Sequence, residues 1–443
     1  MRKASQRLIG SRAAANLGRR LPGVAFVGRC VASWGPGLIT GAADDDPSGI
    51  VTYSIVGAQQ GMALLWTAWL TWPLMAAVQM MCARIGLITG QGLGSVFKRK
   101  FPRSVVVAIC GALFIANTIN IAADLSGMAD AGEMFGVPAY LLIPLFGAGI
   151  AYAMVRCRYE VIVAILKWLV LSLFAYVATA FLVHPHWSEV ARATFLPALP
   201  KGRRVWEAIV ALLGTTISPY LFFWQSSQEV EELKAKGSLR IPRRVGAVKA
   251  RLFDRMMDVG AGTLLSNLIM FFILLTAALT LHQQGVTDVQ TSRQAAEALR
   301  PLAGNLAAAV YALAIIAVGL LAIPTLAGSA GFAVSESFNW PRGLDRKFSQ
   351  AGGFYTVILL SVGVGVCGDF LGINPMRFLF LSAVINGVLA PFLLIGILLI
   401  AADAAIMKKQ PSSWLSRVVV AITTFVMFAA ALAMIYGAFA GDS

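Results

Sequence analysis

Three aspartates in a row, Asp44, Asp45 and Asp46, sit inside an apolar run from about Ala32 to Val56, followed at once by Pro47, Ser48 and Gly49. One aspartate at the centre of a membrane helix costs about 2.5–3.5 kcal/mol on insertion scales, so three without partners would oppose insertion. Pro47 withdraws a helix hydrogen bond and Gly49 weakens the helix further. The run therefore reads as a membrane helix unwound at its middle, with carboxylates and freed carbonyls turned inward. Irregular backbone at that depth is stable only inside protein or beside a water-filled cavity.

Composition sets the solvent. Of 443 residues, 58% are hydrophobic and 13% charged, against about a quarter charged in soluble domains. Eleven apolar runs approach the ~20 residues that a bilayer needs: 32–57, 62–86, 104–128, 138–155, 159–182, 206–228, 259–281, 306–335, 354–372, 377–402 and 416–440. The eighth is too long for one straight span, and Pro324 predicts a kink in it. The chain is expected to be all-α and polytopic, with a basic tail at 1–30 and one transmembrane unit at 31–443. A formal net charge of +15 raises nucleic acid as a partner, but the positives lie in short loops between apolar runs. That is the positive-inside pattern, so the expected partner is the lipid bilayer and not nucleic acid. Nothing fixes the oligomeric state, and a monomer is compatible with the reading.

Lys98 to Lys100 with Arg103, Arg156 and Arg158, the 231–255 stretch, Arg342, Arg346 and Lys347, and Lys408 with Lys409 fall on the same side as the N-terminal tail. That side is expected to be cytoplasmic, across a bacterial inner membrane, with the C-terminus outside. The run Lys201, Arg203, Arg204 is an exception. The tail (Arg2, Lys3, Arg7, Arg12, Arg19, Arg20, without acids) shares the composition of a transit peptide but reads better as a cytosolic segment held by anionic lipid. The most charged stretch, 231–255, reads as a solvated surface loop, with a gating role as the alternative. Cys30, Cys82, Cys110, Cys157 and Cys367 show no metal-ligand spacing and read as small apolar residues.

A second interruption lies in the sixth run: Gly214-Thr215-Thr216-Ile217-Ser218-Pro219-Tyr220. The first and sixth runs open two sets of five (about 31–183 and 205–403, with 416–440 as an extra helix), and the two sets start on opposite sides. Two broken helices in corresponding places of inverted halves point to a secondary transporter, with its binding site where the breaks meet.

Gly35-Pro36-Gly37 leading into Asp46-Pro47-Ser48-Gly49, then Gly57-Ala58-Gln59-Gln60-Gly61 with Leu65-Trp66, resembles the NRAMP metal-ion transporters over about residues 30–440. The resemblance implies eleven helices in a LeuT-type five-plus-five arrangement and secondary transport of divalent metal ions, often with protons. Asp46 matches the family's metal-binding aspartate, while Gly49 stands where the family has a metal-binding asparagine. Thr215 replaces an alanine whose carbonyl binds metal, Ser218 a methionine, and Tyr220 a histidine. Asp124 matches an acidic residue on the family's proton route, but Gly127 replaces the glutamate one turn on. Asn267 matches a retained position, and Asn386 lies near the family's glutamine in the tenth helix without aligning to it. Loss of the soft methionine sulfur, with Asp44 and Asp45 added, suits hard cations such as Mg²⁺ or Mn²⁺. In this the chain resembles the NRAMP-related magnesium transporters, which also lack the methionine, and proton coupling is in doubt.

The expected metal-contacting set is Asp44, Asp45, Asp46, Thr215 and Ser218, with Gly49 marking the lost ligand. Asn117, Asn120 and Asp124 share one helix face by spacing and either line a water route or hydrogen-bond between helices; Asn267, Tyr220 and Asn386 are further route candidates. Asp369 and Asn374 are expected to be caps at the outer end of the ninth run. Glu336 is expected to pair with a loop arginine, and Lys167 to snorkel. His184, His186 and His282 belong to outer loops with no metal role. No nucleotide-binding, nucleophile-elbow or zinc-protease motif is present, so neither enzymatic activity nor a cofactor is expected. Two other readings stay open: transport of a cationic organic solute on the same fold, and a non-transporting ion sensor.

Overall fold

The computed structural model describes residues 45–156, 172–200, 202–235, 245–368 and 372–440. Among them the chain is helical, without a strand. The principal helices are α1 (Pro47–Gln60), α2 (Trp66–Thr89), α3 (Leu93–Lys100), α4 (Arg103–Glu133), α5 (Ala139–Arg156), α6 (Phe174–Leu182), α7 (Trp187–Phe195), α8 (Arg203–Thr216), α9 (Pro219–Ala235), α10 (Val245–Ala277), α11 (Ala307–Phe338), α12 (Gly352–Cys367), α13 (Pro375–Ala402) and α14 (Trp414–Ala440). Eight helical segments among the described residues are long and apolar enough to cross a membrane, with α8 and α9 taken as one; α12 is shorter and apolar. Asp44, Lys167, Asp369, Cys30, Cys157 and the basic tail lie outside the described residues.

The Asp-Pro and Ser-Pro pairs start helices. Asp46 has extended backbone and caps α1, with Pro47 at its first position. Proline is at home there, because the N–H it lacks would have had no partner in the helix. In the sixth span α8 ends at Thr216, Ile217 leaves helical geometry (φ −116°, ψ 55°), and α9 starts at Pro219. Proline does not always interrupt a span, however: Pro324 lies inside the single continuous helix α11.

Every residue of α1 from Pro47 to Ala58 is buried. A helix apolar and covered all round belongs to the interior of a bundle. It packs against α4, α8, α10 and α13, while α14 leaves Phe425, Tyr436 and Phe439 exposed. The backbones of α8 and α13 meet closely: a Cβ on Gly214 would strike Ala383 and Gly387, and one on Gly387 would strike Val210. Small residues at such crossings let membrane helices approach to backbone contact.

Basic residues from distant stretches gather at one end of the bundle. Lys100 bonds Asp403 at 2.6 Å, Arg342 bonds Glu336 at 3.3 Å, and Lys408 donates to the Thr89 carbonyl at 3.0 Å. The expected Glu336–arginine pair is therefore formed. The 231–255 stretch, by contrast, is largely helical. α9 continues to Ala235 and α10 begins at Val245, so only 236–244 lie outside the description. Its Arg255 ties the two helices together, bonding Glu229 at 2.6 Å, Glu232 at 2.9 Å and Asp258 at 2.7 Å. Asn374 caps the start of α13, the helix after the one expected. His282 ends a π-turn and bonds the Ala58 carbonyl at 2.7 Å instead of sitting in a loop.

Candidate cation site at the two breaks

The N-terminus of α1 is where buried carboxylates collect. Asp45 and Asp46 are 1% and 3% exposed, and Asp124 of α4 is fully buried. Asp46 is held on both oxygens. Its Oδ1 accepts from Gly49 N at 2.7 Å and Ser48 Oγ at 2.9 Å, and its Oδ2 accepts from Asn120 Nδ2 at 2.9 Å. The Asn120 nitrogen also reaches Asp124 Oδ2 at 3.5 Å. Asn386 of α13 donates to Asn120 Oδ1 at 3.3 Å. Asn386, which the sequence places only near the region, thus joins a chain Asn386–Asn120–Asp46 running from α13 through α4 to α1.

Asp45 is held differently. Its Oδ1 accepts from Ser266 Oγ of α10 at 3.0 Å, and its Oδ2 is buried without a hydrogen-bond partner among the described residues. Asp124 Oδ1, Asn117 Oδ1 and Asn386 Oδ1 are likewise buried acceptors without a partner there. Buried polar atoms normally find partners, so these oxygens, gathered on α1 and the helices packed against it, mark an acceptor-rich interior.

The second break supplies neutral oxygens. Pro219 has no N–H to give the Thr215 carbonyl, and the Ser218 hydroxyl takes that place at 2.6 Å, also reaching the Gly214 carbonyl at 2.7 Å. Each carbonyl keeps a second lone pair. The Thr215 hydroxyl donates to the Leu212 carbonyl at 3.0 Å and lies within hydrogen-bond distance, 3.3 Å, of the Tyr53 hydroxyl of α1, which links α8 to α1 directly. Nothing in the sequence singles out Tyr53. A Cβ on Gly49 would lie 3.3 Å from Asp46 Oδ1 and 3.5 Å from the Tyr53 hydroxyl, so this tyrosine occupies the direction a longer residue 49 would use.

Other expected site residues are placed elsewhere. Asn117 donates to the Leu326 carbonyl of α11 at 3.0 Å, an interhelical bond. Asn267 accepts from Thr71 at 2.7 Å and donates to Met75 Sδ at 3.4 Å, both on α2. Its neighbour Ser266, which carries no signal in the sequence, makes the contact to Asp45. Tyr220 is buried, its carbonyl accepting from Ser329 of α11 at 2.7 Å. At Gly127 the Leu379 side chain of α13 fills the space a Cβ would need. Among the described residues no three His, Cys, Asp or Glu side chains group to hold a metal ion; of the described residues, hydroxyl, amide and carbonyl oxygens are what could join Asp45 and Asp46 in a shell.

A family model described as natural resistance-associated macrophage protein-like matches residues 37–437. The chain belongs to the Nramp family. The divalent metal cation transporter MntH of Aeromonas hydrophila is 26% identical over 392 residues, which span 85% of this chain and 88% of the relative. The crystal structure of the Eremococcus coleocola manganese transporter, in complex with an aromatic bis-isothiourea substituted compound, superposes with a TM-score of 0.78 at 16% identity, covering 95% of this chain and 90% of that one. Mhp1, a nucleobase-cation-symport-1 family transporter in a closed conformation, gives 0.57 at 13% identity, covering 92% and 90%. This Nramp chain is therefore an all-α, multi-pass integral membrane protein with the LeuT-type inverted-repeat fold, its sixth span interrupted at Ile217 and its α1 starting at Pro47.

Proposed function

We propose that the chain is a secondary transporter or facilitator that carries a divalent metal cation across the membrane by alternating access. Its likeness to a divalent metal cation transporter of Aeromonas and to a manganese transporter of Eremococcus supports the substrate class. The observation that carries the reading is the pair of buried aspartates at the start of α1, joined through Tyr53 and Thr215 to the end of α8. The C-terminal end of α8 is the negative end of that helix and favours a cation. A cation between the breaks would neutralise carboxylates that are otherwise costly at the midplane.

The donors at the breaks are oxygens, which suits a hard ion, Mg²⁺ or Mn²⁺, over softer metals. Little is left for proton coupling, since Leu379 fills the space at Gly127 and Tyr220 stands where the family has histidine. The basic end of the bundle, with Lys100, Arg342 and Lys408, would face the cytoplasm of a bacterial cell.

Purified protein in liposomes carrying a metal-sensitive dye tests this. Saturable Mg²⁺ or Mn²⁺ entry, unaltered by an imposed pH gradient, is the expected result. Cation-induced thermal stabilisation without flux would make the protein a sensor, and uptake of an organic amine in place of metal would overturn the substrate class.

A further inference from the structure

We propose that Ser266 of α10 is a positioning residue that aims Asp45 at the transported cation and sets its preference among hard ions; the proposal rests on the transport reading above. The two consecutive aspartates divide the work. Asp46 is fixed by three donors on two oxygens, as the cap of α1. Asp45 is fixed by one, the Ser266 hydroxyl at 3.0 Å on Oδ1, which leaves Oδ2 buried and without a partner among the described residues. A carboxylate anchored at one oxygen presents the other in one direction.

The anchor is itself held. The next residue, Asn267, is bonded to Thr71 and Met75 of α2 and, through Nδ2, to the Thr263 carbonyl one turn back. α10 is thereby braced on α2 at the point where Ser266 meets Asp45, at the start of α1. The choice of a hydroxyl also follows from charge. A serine orients an anionic ligand without adding a positive charge, whereas an arginine or lysine there would compete with the cation for Asp45. Hydrogen-bond partners behind metal ligands commonly change metal affinity by about 10–100-fold when removed. Mg²⁺ demands near-octahedral geometry, whereas Ca²⁺ accepts flexible shells. Releasing Asp45 should therefore weaken Mg²⁺ more than Ca²⁺.

Proteoliposome flux and cation-dependent thermal shift on the full chain test this with Ser266→Ala and Ser266→Thr. The alanine variant is expected to raise the half-saturating Mg²⁺ concentration about 10-fold, with a maximal rate near wild type and a smaller change for Ca²⁺ competition. Threonine, which keeps the hydroxyl, is expected to restore Mg²⁺ affinity. Unchanged half-saturation in Ser266→Ala overturns the proposal, as does an equal loss for Mg²⁺ and Ca²⁺ that threonine fails to restore. Should alanine not fold, Ser266→Cys, close in size with a weak donor, replaces it, and wild-type affinity in that variant overturns the proposal. Absence of any cation flux by the wild type refutes the transport reading instead, so the two failures are distinguishable.

Discussion

Asp46 has two roles that a substitution can separate. Its carboxylate caps α1 and carries the charge proposed to meet the cation. Asparagine can still cap, so Asp46→Asn is expected to bring cation flux to background with a small change in melting temperature. Asp46→Ala is expected to lose the same flux and a further ~0.5–2 kcal/mol of stability, the usual cost of an emptied N-cap. Proteoliposome flux and denaturant titration in detergent read the two effects. Sequence made Asp46 legible because an acid before proline in an apolar run has few explanations. It left Ser266 and Tyr53 hidden, since a serine or a tyrosine inside an apolar span has many, and only the approach of α10 and α8 to the start of α1 gives these two a role. Gly127 shows the same limit: the chain lacks a side chain there, and the occupant of the space, Leu379, comes from a helix far along the chain.

The starts of α1 and α9 share one construction: a polar residue, then proline at the head of a helix, Asp46-Pro47 in one and Ser218-Pro219 in the other. Proline both ends hydrogen bonding from behind and fits the first turn ahead, so these starts could be located from sequence. The ends of α9 and α10 could not, because dense charge reads as loop whether or not it is paired. There Arg255 meets Glu229, Glu232 and Asp258, beside a cavity of about 110 Å³ lined in part by Leu87, Arg251 and Asp254. Removing one partner of a fully buried ion pair commonly costs about 3–5 kcal/mol; here Glu229 and Asp258 are buried while Arg255 and Glu232 are partly exposed, which makes that range an upper bound. Arg255→Ala is accordingly expected to lose stability up to that bound by equilibrium unfolding in detergent, with Arg255→Lys between it and wild type.

At one end of the bundle, basic residues from distant stretches meet acids and carbonyls. The Lys100 ammonium, hydrogen-bonded to Asp403, holds that carboxyl below its usual range, helped by the Ile406 and Ala405 N–H groups. A carboxylate depressed in the folded state contributes stability that is complete above its unfolded pKa and is lost as pH falls through the depressed range. Asp403→Asn is thus expected to melt below wild type at neutral pH, with the gap closing on acidification, as thermal melts across pH would register. The sequence by itself determined that the chain spans a membrane many times, that it is built of helices, and that helices start where Asp46 and Ser218 precede proline. These follow from local physics: desolvation of charge, the missing N–H of proline, and the length an apolar run needs to cross lipid. Only the tertiary structure decided which oxygens surround the start of α1, that Asn386, Asn120 and Asp46 form one chain, and that Ser266 rather than Asn267 reaches Asp45. Those depend on which helix faces touch, and neighbouring residues on one helix point about 100° apart, so a pattern along the chain cannot choose between them.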